Sequence, residues 1–132
     1  MDRLFLDANV LFSAAYRPDA GLLQLWKLPD VALCASHYVI EEARINLAEL
    51  DQRERLAKLT RVLHLFDAVA SKTPREISLP EKDVPIMLAA IEAHATHLLT
   101  GDVRHFGRYF GRRIGGILIM LPAAYLRSRR SP

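Results

Sequence analysis

The sequence predicts an α/β fold: a three-layer sandwich whose central, mostly parallel, short-stranded sheet is flanked by helices. Three observations predict it. First, Leu4-Phe5-Leu6, Val31 to Ala35, His97 to Thr100 and Ile117 to Met120 are short apolar runs, as expected of strands buried on both faces. Second, stretches with apolar residues at helical spacing separate these runs, which suits a parallel sheet with crossover helices. Third, a chain of 132 residues that is 51% apolar can build one core without disulfide or metal staples, so residues 1–132 are assigned to a single domain.

Residues 4–6 form the first strand, which stops at Asp7. Asn9 caps a helix running through Tyr16. Arg17-Pro18-Asp19 is a turn, and Gly21 to Lys27 is a short helix. Val31 to Ala35 is the second strand. Ser36 caps a long helix from His37 to about Leu50, with Val39, Ala43, Leu47 and Leu50 at helical spacing. Another amphipathic helix spans about Gln52 to Leu65, and Phe66 to Ala70 reads as a third strand. The polar stretch that follows contains Pro74 and Pro80 and is a connection, because too little chain remains for a second domain. Asp83 caps the next helix. Pro85 falls in its first turn, where a missing N–H costs nothing, and Ile86, Met87, Ala90 and Ile91 make its buried face. His97 to Thr100 is the fourth strand and ends at Gly101-Asp102. Gly115-Gly116 introduces the last strand, and Pro122 starts a final helix, Ala123 to Arg127.

No apolar run reaches the length of about 18 residues that a membrane span needs. The N-terminal stretch is interrupted by Asp2, Arg3, Asp7 and Asn9, which break the apolar core of a secretory signal, so the cytoplasm is the expected location. Cys34, alone in an apolar run, reads as a buried thiol. The net charge of +3 is unevenly spread: residues 101–132 carry seven arginines against Asp102, a net of +6, leaving −3 for the first 100. A basic third beside acidic clusters suits an enzyme that holds a polyanion near bound cations. Arg127, Arg129 and Arg130 are assigned instead to the dipole of the last helix.

Ligands of open parallel sheets bind beyond the carboxyl ends of the strands. Asp7 directly follows the first strand, and Asp102 follows the fourth. Asp83 opens the helix leading into the fourth strand, and Glu41 and Glu42 sit early in the helix after the second. Each has a structural alternative: Asp7 and Asp83 as helix caps, Asp102 as part of a Gly-Asp turn, the glutamates as ordinary first-turn acids. Their joint placement at one sheet edge favours function. Two carboxylates about 4 Å apart repel by about 4 kcal/mol at an effective dielectric near 20, so such a cluster needs protons or cations. Hard oxygen donors suit Mg²⁺, and a single cysteine makes a structural zinc site untenable.

The same residues carry a family resemblance. LDANVLFSAAY, residues 6–16, resembles the opening motif of PIN domains; SHYVIEEARINL resembles their second acidic motif. Residues 81–106 resemble the third and fourth, with 19 positions from Asp83 to Asp102, and GILIMLPAAYL resembles the closing strand and helix. The resemblance spans the whole chain. It implies a Mg²⁺- or Mn²⁺-dependent ribonuclease, similar to small VapC-like toxins that pair with an antitoxin and often dimerise. By position it implies Asp7, Glu42, Asp83 and Asp102 as the catalytic, metal-binding set, with Glu41 the alternative to Glu42. Asn9, Ser13 and Thr100 are the expected supporting residues. The TGD form of the last motif departs from the T-x-N of some toxins, so no subgroup is assigned. Arg104, Arg108, Arg112 and Arg113 are candidate RNA phosphate contacts, since guanidinium groups bind phosphate bidentately. His105 is either a further RNA contact or a solvent-facing side chain. Phe106, Tyr109 and Phe110 either stack on bases or belong to the core.

Three functions compete. The first is metal-dependent hydrolysis of RNA. The second is a PIN-like module that binds RNA or protein without cutting, against which stand four retained, mutually repelling acids. The third, a phosphatase-like hydrolase, ranks last because D-A-N at residues 7–9 lacks the second aspartate such chemistry uses as an acid. A homodimer is also expected if Trp26 and Tyr38 are exposed, although Trp26 in a short helix suits the core.

Overall fold

A computed structural model describes residues 1–69 and 72–130. Its sheet has six strands in the order β3-β2-β1-β4-β6-β5. They are β1 (Asp2–Leu6), β2 (Val31–Ala35), β3 (His64–Leu65), β4 (His97–Leu99), β5 (Arg113–Ile114) and β6 (Ile117–Met120). The helices are α1 (Ala8–Tyr16), α2 (His37–Asn46), α3 (Leu50–Thr60), α4 (Val84–Glu92), α5 (Val103–Phe106) and α6 (Pro122–Arg130), with a 3₁₀ segment at Gly21–Lys27. All pairings are parallel except that of β5 with β6. The expected three-layer α/β sandwich is the observed one.

Strand β1 lies near the middle because its residues are apolar on both faces: Leu4, Phe5 and Leu6 are all fully buried. Leu4 pairs with Leu33 of β2 on one side and with His97 of β4 on the other. Helices α1, α2 and α3 pack together, and Leu11, Val39 and Leu56 join the sheet residues in one core. No described helix is long and apolar enough to cross a membrane.

Several boundaries differ from expectation. Helix α1 is capped by Asp7, whose Oδ1 accepts the Ala8 N–H at 2.7 Å, and Asn9 lies inside the first turn. Helix α2 stops at Asn46 because Leu47 turns fully into the core. The released carbonyls find side chains: Asn46 Nδ2 donates to Glu42 O at 2.8 Å and Arg53 Nε to Leu47 O at 2.7 Å. Leu50 begins α3 instead and is 73% exposed.

The third strand is His64–Leu65, not Phe66 to Ala70. Cys34 and Ala35 pair with it, Phe66 N–H makes one more bond to Ala35 O, and β2 then gives way to a helix and offers nothing further to pair. Phe66 to Val69 form no strand, and Ala70 lies outside the described residues. Strand β5 is an addition to the expected set. It folds back through Gly115 and Gly116, whose φ angles of 57° and 82° suit the left-handed two-residue turns that join hairpins. Helix α6 also runs on to Arg130, where Arg129 pairs with Asp30 and Asp2.

Candidate metal centre at the sheet edge

The carboxyl edge of the sheet is shaped by three strand endings. Strand β1 ends at Leu6, and Asp7 N–H bonds to Leu99 O at 3.1 Å. Strand β4 ends at Leu99, and Thr100 N–H bonds to Met120 O at 3.0 Å. Strand β2 ends at Ala35, and Ser36 caps α2 by accepting the Val39 N–H at 3.3 Å. Asp7, Thr100 and the start of α2 therefore meet on one side.

A cavity of about 400 Å³ opens there, and Asp7, Glu42, Asp83 and Asp102 all line it, together with Asn9, Phe12, Asn46 and Lys82. The structure thus brings together acids from four segments. Glu41 is not among them: it is exposed and pairs with Arg44 at 2.5 Å, which holds its carboxyl below the usual range.

Asp7 is buried and firmly held. Its Oδ2 accepts the Thr100 hydroxyl at 2.8 Å and Asn9 Nδ2 at 3.2 Å. Asn9 Oδ1 in turn accepts the Gly101 N–H at 2.7 Å, and Thr100 Oγ accepts the Asp102 N–H at 3.1 Å. Burial nevertheless dominates. It pushes the Asp7 carboxyl up to about 6 against the lowering effect of the Thr100 and Ala8 hydrogen bonds, and the charges of Glu42 and Asp83 add to the rise.

Asp83 occupies the N-cap position of α4, but its side chain caps nothing. It turns toward His105, whose Nδ1 lies 2.9 Å from Asp83 Oδ2 and 2.8 Å from Asp102 Oδ2. The hydrogen-bonding geometry is met only at Asp102, so Asp83 Oδ2 is buried without a hydrogen-bond partner among the described residues. Burial raises the Asp83 carboxyl; His105 opposes this and Asp102 reinforces it. Asp102 caps α5 through the His105 N–H at 3.1 Å.

The structure also places two further residues. Ser13 is exposed and lines, with Phe12, Tyr16 and Arg17, a groove that adjoins the acid cavity through Phe12 but does not itself include the acids. It stands one turn beyond Asn9 along α1, outside the lining of the acid cavity. His105 is not solvent-facing: its side chain is 21% exposed and stands between two carboxylates.

The arginines divide. Arg104 and Arg108 are exposed on and after α5. Arg108 and Arg112 lie over the Tyr109 ring at 5.2 and 5.8 Å. Arg113 pairs across from Leu118, in the row where β4 begins, and acts on His97 there; it does not line the acid cavity. Phe106 and Tyr109 are core, and Phe110 packs against the core, so these rings are not a free stacking surface. Trp26 also packs on the core and donates to Leu59 O at 3.0 Å, whereas Tyr38 is 41% exposed.

Sequence reasoning missed Tyr38, Asn46 and Lys82 as neighbours of the acids. The signal was present: Tyr38, Glu42 and Asn46 are spaced by four on α2, and Lys82 adjoins Asp83. Tyr38 donates its hydroxyl to Lys82 O at 2.7 Å, and burial with nearby Glu42 and Asp83 raises its own ionisation.

The donors fit a divalent ion. The carboxylates offer hard oxygens, one of them buried and unbonded, beside a carboxyl whose ionisation burial opposes; oxygens of Asp83 and Asp102 and a ring nitrogen of His105 all lie within 4.8 Å of one another.

No protein-family model matches the sequence. No curated protein matches it either. Solved structures do match. VapBC2 from Rickettsia felis, bound to a DNA fragment from its promoter, superposes with a TM-score of 0.68 at 16% identity, covering 90% of this chain and 98% of that one. VapBC-1 from nontypeable Haemophilus influenzae gives 0.55 at 16% identity over 92% and 98%. FitAcB from Neisseria gonorrhoeae gives 0.52 at 17% identity over 91% and 98%. At these identities the likeness is one of fold, and that fold is the PIN-like sandwich.

Proposed function

We propose that the chain is a divalent-metal-dependent endoribonuclease, hydrolysing RNA phosphodiester bonds as the toxin of a toxin–antitoxin pair. One observation carries this reading: Asp7, Glu42, Asp83 and Asp102, remote in sequence, line one cavity in which a buried carboxylate oxygen lacks a partner.

Asp7, Asp83 and Asp102 would hold the ion, Mg²⁺ or Mn²⁺, with Glu42 completing the set. When bound, such an ion lowers the pKa of a coordinated water and offsets charge on phosphate oxygens. The chain's own residues do the rest. Thr100 and Asn9 fix the Asp7 carboxyl by hydrogen bonds to Oδ2, so its position is set before any ligand arrives. Glu42, half-buried at the cavity wall, accepts the proton of the attacking water. Lys82 at the cavity and exposed Arg104 and Arg108 meet the RNA phosphates.

The solved neighbours are VapBC and FitAcB assemblies, which supports an antitoxin as this chain's partner. Exposed Tyr38 and Ile45 on α2 supply apolar surface for that partner or for a second copy of the chain.

The test is cleavage of RNA by purified protein with Mg²⁺ or Mn²⁺. Chelation and Asp7→Asn each abolish cleavage, with an unchanged circular dichroism spectrum. Equal cleavage by the variant would sink the proposal. RNA binding by the wild type without any cleavage would establish the non-cutting module instead.

A further inference from the structure

We infer that His105 is itself a metal ligand, its Nδ1 joining Asp83 and Asp102 in a mixed nitrogen–oxygen site that selects Mn²⁺ or Co²⁺ over Mg²⁺. This rests on the reading of the acidic cavity as a metal centre and names which ion it takes.

The geometry argues for it first. Nδ1 stands 2.9 Å from Asp83 Oδ2 and 2.8 Å from Asp102 Oδ2. Adjacent ligands of a six-coordinate ion with bonds of about 2.1 Å lie roughly 3 Å apart, so the nitrogen already has the spacing of a neighbouring ligand to each oxygen, and all three atoms lie within 4.8 Å of one another. The hydrogen bonding argues second. Nδ1 carries one hydrogen at most, and two carboxylates face it. The geometry gives that hydrogen to Asp102, which leaves the Asp83 oxygen, on a side chain only 9% exposed, facing the ring unbonded. A single proton cannot complete this arrangement; a cation in its place can, because it satisfies both oxygens and the nitrogen together.

The ring is also fixed in advance. His105 lies on α5, between the capping Asp102 and the fully buried Phe106. Its backbone N–H bonds to Asp102 Oδ1 at 3.1 Å. Coordination through Nδ1 requires only that the ring's hydrogen sit on Nε2. The donor set then fixes the preference. Imidazole suits first-row transition ions, whereas Mg²⁺ keeps to oxygen donors and water.

The experiment is calorimetric titration of the full chain with Mn²⁺ and with Mg²⁺, beside pulsed electron paramagnetic resonance of the Mn²⁺-loaded protein. The wild type is expected to bind Mn²⁺ at least about tenfold more tightly than Mg²⁺ and to show ¹⁴N modulation from a coordinated imidazole. His105→Gln is expected to lose that modulation and about tenfold in Mn²⁺ affinity, with Mg²⁺ affinity changed less than about twofold. The spectrum of the wild type decides even if the variant folds poorly. Mn²⁺ binding without ¹⁴N modulation overturns the inference and leaves the nuclease reading standing on its carboxylates. If neither ion binds and Asp7→Asn cleaves RNA as well as the wild type, both readings fall.

Discussion

At Asp7 the energetics of one side chain set a pH dependence. Its carboxyl lies at about 6 in the fold, raised from an ordinary 3.8 chiefly by burial. The folded state therefore holds the proton more tightly than the unfolded chain. The stability this contributes is fully present below about pH 4 and is lost as pH rises through about 6, with an upper limit of about 3 kcal/mol. Urea unfolding of the metal-free protein should show wild type losing more stability between pH 4 and 7 than Asp7→Asn does; parallel profiles would contradict the account. Thr100→Val tests the partner. It deletes the hydroxyl that donates to Asp7 Oδ2 and accepts the Asp102 N–H, at a cost of about 1–3 kcal/mol in denaturant titrations. Asp7, Asp83 and Asp102 are legible in the sequence because each stands at the terminus of an element. Ser13 shares a face of α1 with Asn9 but stands one turn further along, and the cavity lining stops short of it. The placement of His105 is hidden because it depends on where Asp83, 22 positions earlier, arrives in space.

Among the elements, α2 shows how a helix terminus positions chemistry. Ser36 fixes where the helix starts, and the start fixes which face carries Glu42. Ser36→Ala should destabilise the fold by about 1 kcal/mol, measured by chemical denaturation. A loss below a few tenths would mean that packing of Val39 and Ala43, not the cap, sets the helix. The other end of α2 is illegible for a physical reason. The apolar spacing continues through Leu47 and Leu50, but one helix ends before Leu47 and the next begins at Leu50, and Arg53 from the latter satisfies the Leu47 carbonyl. Strand β3 shows the same limit. Its length is decided by how much of β2 remains to pair, which no pattern within Phe66 to Val69 records. Apolar periodicity reveals which face is buried; the place where an element stops depends on neighbours.

Across the molecule, alternation of strands and helices makes the sheet and its parallel pairing legible, and the rule for strand carboxyl ends locates the acids. Charge separation is legible as well, although its basic side is thinner than the composition implies, since Arg129 is engaged with Asp30 and Asp2 and Arg113 sits level with the start of β4, the end opposite the acids. Affinity for single-stranded RNA should fall with added salt, and Arg104→Ala with Arg108→Ala should flatten the log–log slope by about 0.7 for each phosphate no longer neutralised. An unchanged slope would remove these arginines from the RNA path. The sheet order has one more consequence. Strand β1 is flanked by β2 and β4, so Asp7 waits for Thr100 and Asp102, the latter 95 positions later in the chain. At ribosomal rates of about 5–20 residues per second, the first aspartate is made roughly 5–19 seconds before its last companion. A nascent polypeptide stalled anywhere in that interval carries the opening motif without its acidic companions, so the cluster can assemble only once synthesis has passed the fourth strand.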